Sequence, residues 1–293
     1  MNNIARGLDF LHARQLPHGE FQTFAAPTPG MRTCEFYGSP FVTAFVLYAL
    51  RTLEHSNLST LREHALDFLI HEQEPEGYWR NHTRDNPKHA HQKLPPDLDD
   101  IAVISHILAW YYVPFVDTRA LILSNITGDG VFATWIEPPF ANEVDAVVNA
   151  NVVLYLQDDR PPVCAYLNTI ISRKLPFSQW YPDRLSLYYV VSRALANGVT
   201  GLAESRQGAI DDILSRQQSD GSWGNALRSA LALNALLNYG ANNAALVRGI
   251  GALRRMQTAD GSWPRHAWFR GFANYYGSEE LTTALAIEAL TKI

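Results

Sequence analysis

Three aspartates lie within four residues in the segment Asp97-Leu98-Asp99-Asp100. Carboxylates this close raise one another's pKa, and an apolar wall around them raises it further, because the charged form is disfavoured. A carboxylic acid that stays protonated in this way can act as a general acid. Aspartates also cap helix N-termini, but three acids are more than one cap requires. The cluster therefore predicts a proton-donating site.

A second polar segment, residues 142–151, runs into an otherwise apolar stretch. Glu143, Asp145 and Asn149 fall on or near one edge of the helix that this stretch predicts. A buried polar group must be paired, so Asn149 and Asn151 need partners. Two interpretations stay open: a structural hydrogen-bond network with the neighbouring helix, or a set of residues that binds substrate or orients the aspartate cluster.

Metal binding is the weaker hypothesis for the polar loop before Asp97. His89 and His91 could join Asp97 as ligands, but a His-x-His pair in a loop has no third ligand at fixed spacing. Cys34 and Cys164 are the only cysteines, too few for a cysteine-only zinc site or a disulfide scaffold. We therefore expect a solvated loop and no metal ligands.

A repeated motif organises the chain around these residues. In four copies a glutamine precedes a glycine by four residues, and an aromatic residue follows that glycine by two. The copies begin at Gln15, Gln73, Gln217 and Gln257. Two weaker copies surround Gly130 and Trp180, where Trp180 stands in for the turn glycine. The motif thus predicts six units of roughly 40 to 58 residues each.

Each unit contains an amphipathic first helix and a more apolar second helix. The second helices are predicted at Pro40–Leu53, Asp100–Tyr112, Asp145–Leu156, Asp183–Leu195, Ala226–Tyr239 and Glu280–Lys292. Apolar helices suit an inner ring and amphipathic helices an outer ring. We expect an all-α fold, an (α/α)6 barrel of six helix-pair repeats, in one domain spanning residues 1–293. An open solenoid of helix pairs is the alternative, but six units favour closure.

The inner helices should run parallel, because each is entered from the loop after its glycine motif. Their N-termini then share one mouth of the barrel, where the aspartate cluster and the polar segment meet. Asp145 takes the same place in its repeat as Asp100, so we expect these two acids to face each other across adjacent helices.

The segment from Asp97 to Asp100 resembles the Asp-x-Asp-Asp signature of class II terpene cyclases, the superfamily that contains squalene-hopene cyclases. The glutamine–glycine–aromatic copies are similar to that superfamily's own repeats. The resemblance covers the whole chain for the fold and only these residues for the chemistry. It implies that Asp99 protonates an alkene or epoxide, that Asp97 and Asp100 support it, and that a carbocation cascade follows without a divalent metal or other cofactor.

Aromatic faces stabilise carbocations, and the resemblance implies a hydrophobic isoprenoid as the substrate. The residues expected to bind it are Trp79, Trp135, Tyr276, Glu143, Asp145 and Asn149. Members of the superfamily generally pair this barrel with a second helical domain, and they supply a partner that hydrogen-bonds the acid. This chain has room for one barrel, so its cavity should lie inside the mouth, beneath its own loops or at a subunit interface. The sequence does not place the partner of the acid.

The composition of the chain bears on its solubility, its partners and its location. The 293 residues are 47% hydrophobic and 18% charged, with a net charge of -5, so disorder and nucleic-acid binding are not expected. The N-terminus lacks the apolar run of a signal peptide, and no long uncharged apolar run appears, so a cytoplasmic location is expected. A homo-oligomer and peripheral contact with a membrane are left open.

Two other functions use the same barrel. One is a glycan hydrolase or lyase, in which two carboxylates at the mouth would divide the acid and base roles. The other is a non-catalytic barrel that binds a lipid or a protein partner, which the acid cluster disfavours.

Overall fold

The computed structural model describes residues 2–55, 58–87 and 94–293. Twelve α-helices lie within these ranges: α1 (Asn3–Arg14), α2 (Pro40–Leu50), α3 (Leu58–His71), α4 (Leu98–Trp110), α5 (Arg119–Ser124), α6 (Ala146–Leu156), α7 (Pro161–Ser172), α8 (Arg184–Ala196), α9 (Arg206–Ser215), α10 (Ala226–Asn238), α11 (Ala244–Arg255) and α12 (Glu279–Thr291). The strands β1 (Phe24–Ala26), β2 (Glu35–Phe36), β3 (Phe269–Arg270) and β4 (Tyr275–Gly277) form one antiparallel sheet in the order β2-β1-β4-β3.

The even-numbered helices form a closed inner ring. Each packs against the next even-numbered helix, and α12 packs against α2. They are buried almost all round, and every residue of α2 is buried. The odd-numbered helices bury one face each and lie outside the ring. The predicted (α/α)6 barrel and its six inner helices are confirmed, and the contact between α12 and α2 excludes an open solenoid.

The repeat glutamines link neighbouring units. Each side-chain amide donates one hydrogen bond to the glycine carbonyl of its own turn and another to a carbonyl in the next unit along the ring. The pairs of acceptors are Gly19 and Leu61 for Gln15, Gly77 and Val116 for Gln73, Gly221 and Ala245 for Gln217, and Gly261 and Asn3 for Gln257. The last of these bonds joins the final unit to α1 and so completes the outer ring.

The repeat tryptophans lock each turn to the helix that precedes it. The indole N–H groups of Trp79, Trp223 and Trp263 donate to main-chain carbonyls ten residues earlier, at 2.7, 2.8 and 2.7 Å. Trp79 is fully buried in this packing, so the expectation that it binds substrate is not met. Trp180 departs from the motif, because its indole donates to the Glu143 carboxylate near the barrel mouth.

No helix within the described ranges is both long enough and apolar enough to cross a membrane.

Substitution of the closing turn glycine should destabilise the barrel. Gly261 has a φ of +92°, and an added Cβ would lie 2.3 Å from the Arg6 carbonyl oxygen. We expect Gly261→Ala to lower the free energy of unfolding by about 2 to 4 kcal/mol, because it combines a left-handed backbone with a steric clash. The measurement is thermal unfolding followed by circular dichroism.

Gly128→Ala is the matched control, since its added methyl group meets no heavy atom within 4 Å. This variant should stay within about 0.5 kcal/mol of wild type. Equal melting temperatures for the two variants would contradict the role given to the closing turn.

Candidate active site

The aspartate cluster lies where α4 begins. Asp97 caps the helix, and its Oδ1 accepts a hydrogen bond of 2.8 Å from the Asp100 main-chain N–H. The backbone on either side of Asp97 pairs with the segment around Trp135 through hydrogen bonds of 2.8 and 2.9 Å. Asp97, Asp99 and Asp100 are 8%, 8% and 1% exposed. The cap and the pairing thus hold three buried carboxyl groups and one indole at the same place.

Asp99 receives a donor on each carboxyl oxygen. The Asn151 side-chain amide donates to Oδ1 at 2.5 Å, and the Tyr181 hydroxyl donates to Oδ2 at 2.5 Å. Asn151 comes from α6, and Tyr181 lies shortly before α8. Asn151 and Tyr181 are therefore the hydrogen-bond partners of Asp99, whose identity the sequence alone does not give. The position of Asn151 on an apolar helix signalled that it needed a partner, whereas nothing in the sequence distinguishes Tyr181 from the other tyrosines.

A buried cation lies behind Asn151. The Arg193 guanidinium, on α8, donates from Nη2 to the Asn151 Oδ1. Arg193 is 1% exposed, and sequence reasoning missed it. The signal that could have found it is an arginine in the last turn of the apolar inner helix α8.

Burial governs the protonation of the cluster. Desolvation, followed by the negative charge of Asp99, raises the pKa of Asp97 to about 7. Desolvation and the charges of both neighbours hold the pKa of Asp100 well above its ordinary value. Desolvation also raises the pKa of Asp99, but the hydrogen bonds from Tyr181 and Asn151 and the charge of Arg193 act to lower it. The cluster therefore retains protons near neutral pH, while the anion of Asp99 has the best support.

A cavity of about 350 Å³ lies in front of the aspartates, within the range typical of small-molecule pockets. Phe41 of α2, the three aspartates at the start of α4 and Val148 of α6 all face it, so inner helices contribute their N-terminal ends to one mouth. The loop between β3 and β4 covers it. Its aromatic wall consists of Tyr37, Phe41, Trp135, Trp180, Tyr181, Phe269, Phe272 and Tyr276.

The aromatic residues at the entrance are fixed by one carboxylate. Glu143 Oε1 accepts hydrogen bonds from the indole N–H groups of Trp135 and Trp180, at 2.9 and 2.7 Å. Phe272, 61% exposed at the tip of the β3–β4 loop, packs against both indoles with ring centroids 6.4 and 5.1 Å away. Phe140 packs against Trp135 and Phe272. The entrance is therefore an aromatic cluster that Glu143 orients from behind.

The structure divides the predicted substrate-binding residues into two groups. Trp135 and Tyr276 line the cavity, and Glu143 supports its wall. Asp145 and Asn149 do not line it: Asp145 caps α6 through the main-chain N–H groups of the first turn. The Asn149 amide bonds to both main-chain polar groups of Phe132 and to the Asp145 carbonyl. Because these bonds occupy its amide, Asn149 anchors the loop before α6 rather than a ligand.

The charge that acts on the pKa of Asp145 is that of Asp99, and not that of the predicted partner Asp100. Burial is the main cause that raises its pKa to about 7, and the charge of Asp99 adds to this effect. The Ser178 hydroxyl acts in the opposite direction and lowers the pKa of Asp145.

The sequence gives only weak support for His89 and His91 as metal ligands. His89 and His91 lie outside the described residues. Elsewhere in the described chain, no group of three or more histidine, cysteine or acidic side chains is arranged to hold a metal ion.

No protein-family model and no curated protein matches this sequence. Solved structures do share its fold. The type II terpene cyclase MstE from Scytonema, without ligand, has a TM-score of 0.79 at 20% identity over 99% of this chain and 96% of that one. A variant of MstE in complex with geranylgeranyl dihydroxybenzoate, its substrate, has a TM-score of 0.78 at 20% identity with the same coverage. The ent-copalyl diphosphate synthase from Streptomyces platensis has a TM-score of 0.66 at 19% identity over 86% of this chain and 50% of that one.

The raised pKa of Asp145 predicts how stability depends on pH. With a native pKa of about 7 against an ordinary value of 3.8, the native carboxyl binds a proton that the unfolded chain has already lost between these values. Its contribution to stability is complete below pH 4 and is lost as the pH rises through 7. Asp145→Asn keeps the capping oxygen and removes the titration. We expect it to raise the free energy of unfolding by on the order of 2 kcal/mol at pH 8 and to change it little at pH 4.

The measurement is chemical unfolding at both pH values. Asp183→Asn is the control: Asp183 caps α8 but is partly exposed and paired with Arg228, so no gain at pH 8 is expected. An equal effect of Asp145→Asn at pH 4 and pH 8 would be inconsistent with a buried carboxyl that titrates between them.

Proposed function

We propose that this protein is an enzyme of the class II (type II) terpene cyclase kind. It cyclises an isoprenoid alkene by protonation, with Asp99 as the general acid and Asp97 and Asp100 as its supporting pair. The observation that carries the proposal is the position of Asp99: the carboxyl group faces an aromatic cavity while each of its oxygens receives a hydrogen-bond donor.

The surroundings of Asp99 meet both requirements of a strong acid. Before the reaction the carboxyl must hold its proton, and burial favours the protonated form because it raises the pKa of Asp99. After the reaction the carboxylate must be stable, and the donors Asn151 and Tyr181 stabilise it in place of water. Each oxygen keeps a second lone-pair direction, so the proton can point towards the cavity while both donors stay in place.

The cavity wall suits the cation that protonation creates. Aromatic rings present a negative face, which attracts cations without supplying a nucleophile that would capture them. Phe41, Phe269 and Tyr276 form a connected set of rings in this wall, with Phe269 and Tyr276 stacked at a centroid distance of 5.3 Å. A carbocation that moves along an isoprenoid chain would therefore remain close to a ring face.

The substrate is proposed to be a hydrophobic isoprenoid that enters the cavity with its terminal alkene first. MstE binds geranylgeranyl dihydroxybenzoate, which joins such a chain to a polar aromatic group. Here a polar end would lie at the entrance, where Arg270 and Asn274 belong to the lining. The barrel houses this cavity under its own β3–β4 loop, which supports a site within one barrel domain.

Peripheral contact with a membrane is part of the same proposal. Phe140 and Phe272 are 39% and 61% exposed beside the entrance, so an apolar substrate could pass from a lipid surface into the cavity over aromatic side chains.

Product formation should depend on Asp99 and not on a divalent metal. Purified protein is incubated with geranyl, farnesyl and geranylgeranyl diphosphates, squalene and geranylgeranyl dihydroxybenzoate, and products are identified by mass spectrometry. We expect a cyclised product from at least one of them, formed equally well with EDTA. Asp99→Asn should lower its rate by at least about 100-fold, because the general acid is lost.

Asp117→Asn is the control for loss of a carboxylate, since the Asp117 side chain is 65% exposed and lies outside the cavity lining. It should match wild type. Cyclisation that persists in Asp99→Asn, or that stops in EDTA, would rule out the proposed mechanism.

A further inference from the structure

Arg193 is a buried charge whose presence needs a reason. Its guanidinium lies among the rings of Phe45, Tyr48 and Tyr189, with its central carbon 4.7, 4.5 and 5.6 Å from their centroids. Nη2 donates to Asn151, whereas Nε and Nη1 have no acceptor within the described ranges. A buried ion with so few hydrogen bonds is unfavourable for folding, so its retention in an apolar ring points to a function.

The hydrogen bond from Arg193 fixes which way the Asn151 amide faces. A guanidinium has donors only, so the atom of Asn151 that meets it must be the carbonyl oxygen. The amide N–H2 then faces Asp99, to whose Oδ1 it donates at 2.5 Å. If the amide were flipped, its oxygen would face Asp99, where it could bond only to the protonated carboxyl. That arrangement would favour retention of the proton, and the observed one favours its release.

We propose that Arg193 is a positioning residue that locks the Asn151 amide with its N–H2 towards Asp99 and thereby strengthens this carboxyl group as a proton donor. This inference rests on the proposed function, which it extends to a residue that does not line the cavity. The positive charge acts in the same direction as the locked amide, because it stabilises the carboxylate that remains after proton transfer.

Other ionisable groups surround Arg193, but within the described ranges none of them accepts a hydrogen bond from its guanidinium. They are Tyr48 of α2 and Arg51 directly after that helix, His106 of α4, Tyr189 of α8, and Glu288 of α12 and Lys292 directly after that helix. Burial, with the charges of Arg193 and Arg51, lowers the pKa of His106 to about 3, so this imidazole is neutral. Glu288 is the nearby acid, and it is occupied by Lys292 and the Tyr189 hydroxyl, each at 2.8 Å.

The first test compares Arg193→Gln with wild type. A glutamine retains polarity but supplies no charge, and its amide can accept as well as donate, so Asn151 is free to flip. We expect kcat to fall by at least about tenfold with KM changed less than about twofold, because Arg193 does not touch the cavity. The high-pH fall of kcat/KM should move to higher pH, since a weaker acid keeps its proton longer. Arg193→Lys retains the charge and has donors only, so it should recover part of the lost rate.

Asn234→Ala is the control for removal of a buried polar side chain. Asn234 is fully buried on α10, where it donates to the Leu285 carbonyl and accepts from Lys292. It should lower the melting temperature without a shift in the pH profile. If Arg193→Gln behaves in the same way, Arg193 is only structural and the proposal is wrong.

A second readout does not require turnover. The carboxyl groups of substrate-free protein carrying ¹³C-labelled aspartate are titrated by NMR, and the Asp99 signal is assigned by its absence in Asp99→Asn. We expect the midpoint of Asp99 to lie at higher pH in Arg193→Gln than in wild type. An unchanged midpoint would overturn the proposal. A shifted midpoint in a protein that cyclises no isoprenoid would instead refute the proposed function and leave the inference about Arg193 standing.

Asn151→Asp tests the same arrangement if Arg193→Gln does not fold. Arg193 keeps an acceptor in this variant, but the group facing Asp99 can no longer act as an amide donor and adds negative charge. The midpoint of Asp99 should rise and kcat should fall by at least about tenfold. Wild-type values for both would count against the locked amide.

Discussion

The removal of three adjacent carboxyl groups from water is the constraint on which this structure depends. Asp97, Asp99 and Asp100 cannot all be ionised inside an apolar ring, so the cluster must hold protons. The same lack of water would make a carboxylate at Asp99 unstable, unless protein groups replace the solvent. Asn151 supplies that replacement from the inner helix α6, and Tyr181 from the segment that precedes α8. A protonated acid and a stabilised conjugate base are thus obtained from one desolvated site.

Closure of the barrel is what brings these groups together. The acid comes from α4, one donor from α6 and the other from the segment that enters α8. Their relative positions follow from the packing of successive inner helices, while the glutamine bonds link four of the units to the next one along the outer ring. The cavity opens at the end of the ring where the inner helices begin, and the β3–β4 loop adds Phe272 to its aromatic wall. The turn and the start of the inner helix therefore have different tasks within one repeat: the turn links neighbouring units, and the start of the inner helix contributes to the candidate site.

The repeat made the fold predictable, because glycine, glutamine and tryptophan recur at fixed spacing and each has one physical task. Local spacing also identified the aspartate cluster. What the sequence could not provide were contacts between units that lie far apart along the chain: Tyr181 is 82 residues from Asp99, and Arg193 is 42 residues from Asn151. Aromatic residues were ambiguous for the same reason. Trp79 and Trp135 are alike as residues, yet one is enclosed in a turn and the other lines the cavity. Asn149 and Asn151 lie two positions apart on one helix, and only their neighbours decide that the first anchors a loop and the second contacts the acid.

Incorporation of solvent deuterium into the product tests most directly whether Asp99 transfers a proton to an alkene. Wild-type protein equilibrated in D2O would carry a deuteron on Asp99, and an unlabelled isoprenoid would accept it in the first step. We expect a cyclised product with one deuterium in the ring methylene formed from the CH carbon of the terminal alkene, because the deuteron adds to that carbon and leaves the tertiary cation on the carbon that bears the two methyl groups; NMR and mass spectrometry locate the label. A cyclised product without deuterium at that carbon would contradict the account, because the cascade would then begin in another way.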